Sequence, residues 1–151
     1  MKRLNHNARV LVTDGGRATV FRNAGQVGQP DLVPLKAYHQ DNPPNREQAT
    51  DKPSRVMESV GSSRSSAEQP DYHQMTEDRF VKGIAADMAK DLTAGEFTDI
   101  VVVAPPVAMG VWRKAVAPAL ARATLGEITK DLTKHTAPAI AEIVVKALEG
   151  S

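Results

Sequence analysis

The segment DIVVVAPP, residues 99–106, decides the fold of this chain. A continuous run of β-branched residues closed by two prolines is typical of a strand that is buried on both faces and leads directly into a helix. Such a strand needs packing partners above and below it. We therefore expect the flanking segments to supply helices for both faces of a sheet that has this strand at its centre.

The residues before this segment predict the antiparallel part of the same sheet. Residues 8–14 form a short apolar run, and residues 17–22 alternate between apolar and polar side chains. The Asp-Gly-Gly link at 14–16 favours a hairpin, because glycine supplies the positive φ of a tight turn. Residues 31–38 predict a third strand. Pro34 assigns it to the sheet edge or to a bulge, since proline cannot donate to a ladder.

Helical spacing returns after residue 70. Apolar residues at this spacing predict a helix that ends near Gly95: Phe80, Val81, Ile84, Met88 and Leu92. A second helix is predicted over 109–116 and must end or kink at Pro118. Residues 125–132 predict a weak edge strand, and Thr136 is placed to cap a final amphipathic helix.

The order β-β-β-α-β-α-β-α predicts an α/β fold. Short connections and right-handed crossovers favour a mixed five-stranded sheet in the order 3-2-1-4-5, with helices on both faces. This is a ribonuclease H-like three-layer layout. The 151 residues suit one domain, covering 1–151. Between 39 and 70 the apolar pattern disappears, and we expect a long mobile loop, well beyond the usual ~12–15 residues.

Composition excludes several classes of protein. The chain is 41% hydrophobic and 25% charged, as globular proteins are. A net charge of +1 argues against a surface that binds nucleic acid throughout, but leaves room for a local basic patch. The absence of cysteine excludes disulfides, thiolate zinc sites and a cysteine nucleophile. We find no apolar window of about 18 residues for membrane insertion and no secretory signal at the start, and we expect a cytoplasmic location.

The predicted fold raises the hypothesis of a metal-dependent hydrolase or nuclease. Two-metal hydrolysis needs several carboxylates around metal ions about 4 Å apart. Asp14, Asp71 and Asp131 are the candidates, but Asp99 starts the central strand at the wrong end to join Asp14. A turn aspartate, a helix cap and a surface charge explain these residues better, and we expect no metal and no cofactor.

Other polar side chains are candidates for binding rather than catalysis. The four histidines show no helical pairing, so they do not predict a metal site; His39 and His73 flank the long loop and could meet at its base. Trp112 is interpreted as a helix-packing residue. Four cations are candidates for binding phosphate or an acidic partner: Lys52, Arg55, Arg64 and Arg113.

Several motifs, in the right order along nearly the whole chain, resemble the bacterial host attachment protein family. They are DGGRA at 14–18 with VFR at 20–22, TDKPSRV at 50–56, VVAPP at 102–106 with MGVWR at 109–113, and EITKDLT at 127–133. The family is named for a proposed role in attachment to host cells. One departure is Ser54, where the family commonly has glycine.

The resemblance implies a ribonuclease H-like fold similar to the middle domain of eukaryotic and archaeal peptide release factors. In those factors a Gly-Gly-Gln loop reaches the peptidyl-tRNA ester. The 39–70 loop contains no Gly-Gly-Gln, and the Ala-Gly-Gln at 24–26 lies between strands two and three. Peptide release by that chemistry is therefore not expected.

The leading hypothesis is a non-enzymatic, cytoplasmic binding protein that acts through the 39–70 loop on a ribosome, tRNA or another protein. The expected partner-binding residues are Arg46, Asp51, Lys52, Arg55, His73 and Arg113, with Asp14, Arg17 and Asp131 as turn and possible site residues. Two alternatives remain open: the metal-dependent hydrolase or nuclease, and an adhesion-related factor that acts indirectly.

Overall fold

The chain folds around a mixed five-stranded sheet. The computed structural model describes residues 2–40 and 69–150, with the side chains of the second stretch described from residue 76. The strands are β1 (Arg9–Thr13), β2 (Arg17–Asn23), β3 (Leu32–His39), β4 (Ile100–Val103) and β5 (Thr124–Ile128). Their order is β3-β2-β1-β4-β5, which confirms the predicted topology.

Four helices are described, and each has a proline as its first or second residue. They are α1 (Gln69–Thr93), α2 (Pro106–Ala115), α3 (Pro118–Arg122) and α4 (Ala137–Glu149). Proline suits the first turn because its missing N–H would have no intrahelical acceptor there. Pro118 separates α2 from α3, as predicted. Thr136 caps α4, its Oγ1 accepting from the Ala139 N–H at 3.3 Å.

The strand register confirms the central position of residues 99–106. β1 is antiparallel to β2 and parallel to β4, and β5 is parallel to β4 at one edge. β3 is the other edge, antiparallel to β2. Its register shifts at Pro34: Val20 pairs with Lys36, but Phe21 pairs with Pro34. Pro34 therefore lies both on an edge strand and at a bulge, where its missing N–H is tolerated.

The sheet is covered by helices on both faces. On one face, Leu11 and Val102 pack with α1, α2 and α3 around the buried Trp112. On the other, Val10 and Val101 pack with α4 and with the segment before β1. Alternate residues of β1 and β4 thus enter different cores, and all five residues 100–104 are fully buried.

One predicted element is wrong in its second half. The strand expected over 125–132 ends at Ile128, whose carbonyl accepts from the N–H of Ala104 at 3.1 Å. Beyond Ala104, β4 is followed by two prolines, which have no N–H to donate. The ladder cannot continue, and the chain turns so that Leu132 enters the α4 core.

No helix in the ranges 2–40 and 69–150 combines the length and the apolar character needed to cross a membrane.

A fully buried asparagine joins β2 to the segments on either side of it. Asn23 Nδ2 donates to the carbonyls of Leu4 and Asn5, at 3.2 and 3.0 Å. Its Oδ1 accepts from the N–H groups of Gly25 and Asp31, both at 2.9 Å. One side chain thus links residues 4–5 to the β2–β3 loop, and both of its N–H donors and both lone pairs of its oxygen are used.

We expect Asn23→Ala to lower the free energy of unfolding by about 2–4 kcal/mol, because it leaves several backbone groups without partners in a buried site. Denaturant unfolding measures the difference. The control is Asn5→Ala, whose exposed side chain bonds Asp99, and which should cost less than about 1 kcal/mol. Equal losses for the two variants would contradict this role of Asn23.

Candidate functional site at the carboxyl rim

The strands β1, β4 and β5 all end at one edge of the sheet, and two helices begin there. α2 follows β4 and α4 follows β5, so both start where those strands end. α1 runs in the same direction as α2 and α4: Glu77, its ninth residue, faces Gly15 after β1, and Glu96, beyond its end, contacts Arg9 at the start of β1. We call this edge the carboxyl rim, formed by residues 14–17, 40, 77 and 129–136. In open α/β sheets it is where ligands bind.

The β1–β2 turn at this rim is held by its own aspartate. Asp14 Oδ1 accepts from the N–H groups of Gly16 and Arg17, both at 2.9 Å. Gly15 has φ +93°, a conformation that side chains rarely adopt. This carboxylate is therefore used to shape the turn, as expected from the sequence.

The turn also contacts both elements that flank residues 41–68. The Gln40 N–H donates to the Gly16 carbonyl at 3.1 Å, and Gln40 Nε2 donates to the Gly15 carbonyl at 3.3 Å. On the other side, Glu77 of α1 lies against Gly15. The end of β3 and the first half of α1 are therefore both anchored to residues 14–17.

The rim carries exposed cations without ion-pair partners among the residues the structure describes. They are Arg17 on the turn, and Lys130 and Lys134 in the β5–α4 connection. Asp131 lies among them, and two hydrogen bonds from Thr133, at 2.6 and 3.1 Å, lower the pKa of its carboxyl. The carboxylate is thus engaged with its own turn.

The predicted site residues divide into three sets. Four of them lie outside the described residues: Arg46, Asp51, Lys52 and Arg55. His73 belongs to α1, but its side chain lies outside them too, as does the Asp71 side chain. Asp14, Arg17 and Asp131 lie on the carboxyl rim. Among the described residues no three His, Cys, Asp or Glu side chains form a metal-binding group.

Arg113 does not lie on the carboxyl rim with Asp14, Arg17 and Asp131. It is exposed on α2, and its Nε donates to Glu127 Oε1 of β5 at 2.8 Å, beside a shallow groove of about 400 Å³. Its position is the flank of the β5 edge, away from the β1–β2 turn. Asp99, as predicted, lies at the opposite end of the sheet from Asp14, where Asn5 donates to its carboxylate.

A family comparison covers this architecture from β1 into α4. The family model described as "Protein required for attachment to host cells" matches residues 9–144. The chain belongs to this family. No curated protein matches it significantly. The matched range of this host attachment protein contains all five strands and the whole carboxyl rim.

A cluster that sequence reasoning missed joins β3 to α1 in this host attachment protein. Lys36 Nζ lies 3.2 Å from Asp87 Oδ2 and 2.6 Å from Asp91 Oδ2. The hydroxyl of the buried Tyr38 donates to Asp87. The only sequence signal was the helical spacing of the two aspartates. Their partners are 51 and 55 residues away.

The cluster favours the protonated forms of both β3 side chains. Burial opposes the charge on Lys36, but hydrogen bonds to Asp91 and Asp87 outweigh it and raise its pKa. Burial, followed by the hydrogen bond to Asp87, raises the pKa of Tyr38 strongly. A group whose pKa is raised on folding stabilises the protein below its unfolded pKa, and this contribution is lost as the pH rises through the folded value.

We therefore expect the free energy of unfolding to fall as the pH rises above about 10, where both side chains deprotonate in the unfolded chain. In the variant Lys36→Met/Tyr38→Phe this alkaline decline should be shallower. Urea unfolding at pH values from about 8 to 11 measures the curves. Lys82→Met, on the exposed side of α1, is the control. Parallel curves for wild type and double variant would contradict the assignment.

Proposed function

We propose that this host attachment protein binds RNA phosphates, on the ribosome or on tRNA, through its carboxyl rim together with residues 41–68. Binding, rather than catalysis, is the proposed activity. The observation that carries the proposal is the set of exposed cations at this rim that have no ion-pair partner among the described residues: Arg17, Lys130 and Lys134. Such groups can pair with phosphate oxygens without first breaking an internal ion pair.

The helices strengthen the attraction of this edge for anions. α2 and α4 begin at the carboxyl rim, and the N-terminus of a helix carries a partial positive charge. No acidic residue occupies the first turn of α2 or α4, so this charge is not neutralised within those helices. The backbone N–H groups at these helix ends and the lysines of the rim thus both attract anions.

The sequence adds further candidate contacts at the same edge. Residues 41–68 leave from Gln40 and return at Gln69, and both flanking elements are anchored to the β1–β2 turn. Within this segment we retain Arg46, Asp51, Lys52 and Arg55 as proposed partner-binding residues, with His73 in the first turns of α1. Arg113 is also retained as a proposed partner-binding residue, on the flank of the β5 edge; its Nε is paired with Glu127, and its side chain is exposed.

We also propose that the fold is ribonuclease H-like and related to the middle domain of release factors. The mixed sheet in the order 3-2-1-4-5 supports this proposal. The absence of Gly-Gly-Gln from the sequence favours ribosome or RNA binding without peptide release. A role in attachment to host cells, as the family description states, would then be an indirect consequence of that binding.

We expect Lys130→Ala/Lys134→Ala to weaken binding to purified ribosomes or tRNA by at least about tenfold, because two charge-assisted contacts are lost. The slope of log affinity against log salt should also become shallower by about 1.4–1.8, which is 0.7–0.9 for each lost phosphate contact. Sedimentation binding for ribosomes and fluorescence anisotropy for tRNA measure both quantities at several salt concentrations.

The matched control is Lys90→Ala/Lys146→Ala. It removes the same charge from exposed lysines in the last turns of α1 and α4, at the opposite edge. This control should keep both affinity and slope. Equal weakening in the two double variants, or no binding of the wild type at low salt, would refute the proposal.

A further inference from the structure

A second site lies at the opposite edge of the sheet, where β1 begins. An open groove of about 700 Å³ runs between the start of β1, the end of β2, the edge strand β3, and the end of α1 with the residues after it. Its lining includes Arg9, Arg22, Lys36, Asp91 and Glu96. This groove is separate from the carboxyl rim, and neither the family description nor the proposed RNA binding assigns it a role.

Arg9 is buried in the wall of this groove with part of its hydrogen-bonding capacity unused. Its side chain is 4% exposed, and the guanidinium lies 5.3 Å from the centre of the Phe97 ring. Nη1 donates to the carbonyl and side-chain oxygens of Asn7, at 2.7 and 3.2 Å, and Nη2 donates to the Glu96 carbonyl at 3.2 Å. Nε has no partner, and one Nη2 hydrogen remains as well.

Nε, which is itself a buried atom, shares one edge of the guanidinium with Nη2. Nε and Nη2 form the side-on pair with which arginine binds two oxygens of a carboxylate or phosphate. Within the part of the chain that the structure describes, the acceptors of Arg9 are all neutral oxygens, and its charge has no ion-pair partner there. A buried cation with unsatisfied donors is costly unless something else completes it.

Arg22 adds a second cation next to the first. It lies directly opposite Arg9 in the antiparallel β1–β2 pair, and it is half-buried with no hydrogen bond or ion pair to a described residue. Like charges directly opposite one another destabilise a sheet. An anion between the two guanidinium groups would remove this repulsion.

The acidic residues of the groove do not supply the anion that would lie between Arg9 and Arg22. Asp91 is engaged by Lys36 at 2.6 Å, and neither Asp91 nor the exposed Glu96 comes within ion-pair distance of Arg9 or Arg22. Their charges reduce the net potential of the groove, so they favour a small anion that contacts both arginines directly over a diffuse polyanion.

We propose that this groove is a binding site for a small oxyanion, a phosphate or carboxylate group, held between the guanidinium groups of Arg9 and Arg22. The side-on edge of Arg9 takes two oxygens, and Arg22 closes over the remaining charge. Binding completes the donor set of a buried arginine and neutralises the cross-strand pair.

The test is an NMR titration of the full chain with inorganic phosphate and, separately, with acetate, at constant ionic strength set by sodium chloride. The readouts are the arginine Nε–H signals and the backbone amides. We expect saturable shifts of the Arg9 Nε–H and of amides around Arg22, Leu35 and Glu96. Saturation by phosphate only, or by acetate only, identifies which oxyanion the groove takes.

Two arginine variants complete the experiment. Arg22→Gln should weaken the binding by about tenfold, since one charge-assisted contact is lost. Arg122→Gln, on the exposed surface of α3, should leave it within about twofold. Shifts that centre on Arg17 and Lys130 instead of the groove, shifts that sodium chloride reproduces, or no saturation with either anion would each overturn the proposal. These readouts are independent of ribosome or tRNA binding.

Discussion

The structure depends on the parallel pairing of β1 with β4, in which both strands are buried on both faces. Val10 and Leu11 pair with Val101 and Val102, and successive side chains enter opposite cores. Burial of each such side chain contributes about 1.5–3 kcal/mol relative to its exposed state. Two parallel strands can be joined only by a crossover, and two apolar faces need two helical layers. The positions of α1, α2 and α4 follow from this one constraint.

The same constraint separates two kinds of surface. Because the helices run antiparallel to the strands they follow or precede, their positive ends point to the same side of the sheet, and those of α2 and α4 lie at the carboxyl rim. There Asp14 and Asp131 are used within their own turns, and Arg17, Lys130 and Lys134 remain exposed. At the other edge the charges lie in a groove, where Lys36 pairs with two aspartates, while Arg9 and Arg22 form no ion pair with a described residue. We propose that the first edge binds an extended polyanion and the second a small anion.

Much of the fold could be predicted from local patterns, because those patterns report local physics. The β-branched run, the Asp-Gly-Gly turn, the proline in the edge strand and the Thr136 cap each restrict the backbone within a few residues. The end of β5 could not be predicted this way. It depends on its neighbour, since Pro105 and Pro106 offer no N–H groups to a longer strand.

The candidate sites were less predictable, for a related reason. Asp14 and Arg17 are visible as a turn motif, and Asp131 as part of the EITKDLT motif. The Lys36 cluster joins residues more than 50 positions apart, which no spacing rule detects. Arg9 is recognisable in the sequence as a charged residue at the start of an apolar strand. Its burial is not, because that depends on contacts with Glu96 and Phe97, which are distant in the sequence. The ion pair between Arg113 and Glu127 was not predicted either, since it joins a helix to a neighbouring strand.

Hydrogen–deuterium exchange of the full chain, alone and with an excess of ribosomes, tests the central claim most directly. If the carboxyl rim is the binding surface, exchange should slow in peptides that cover residues 14–17 and 129–136. Peptides that cover Arg22 and residues 95–97 at the opposite edge should be unchanged. Protection only at that opposite edge, or no protection at either edge under conditions where the protein sediments with ribosomes, would contradict the account.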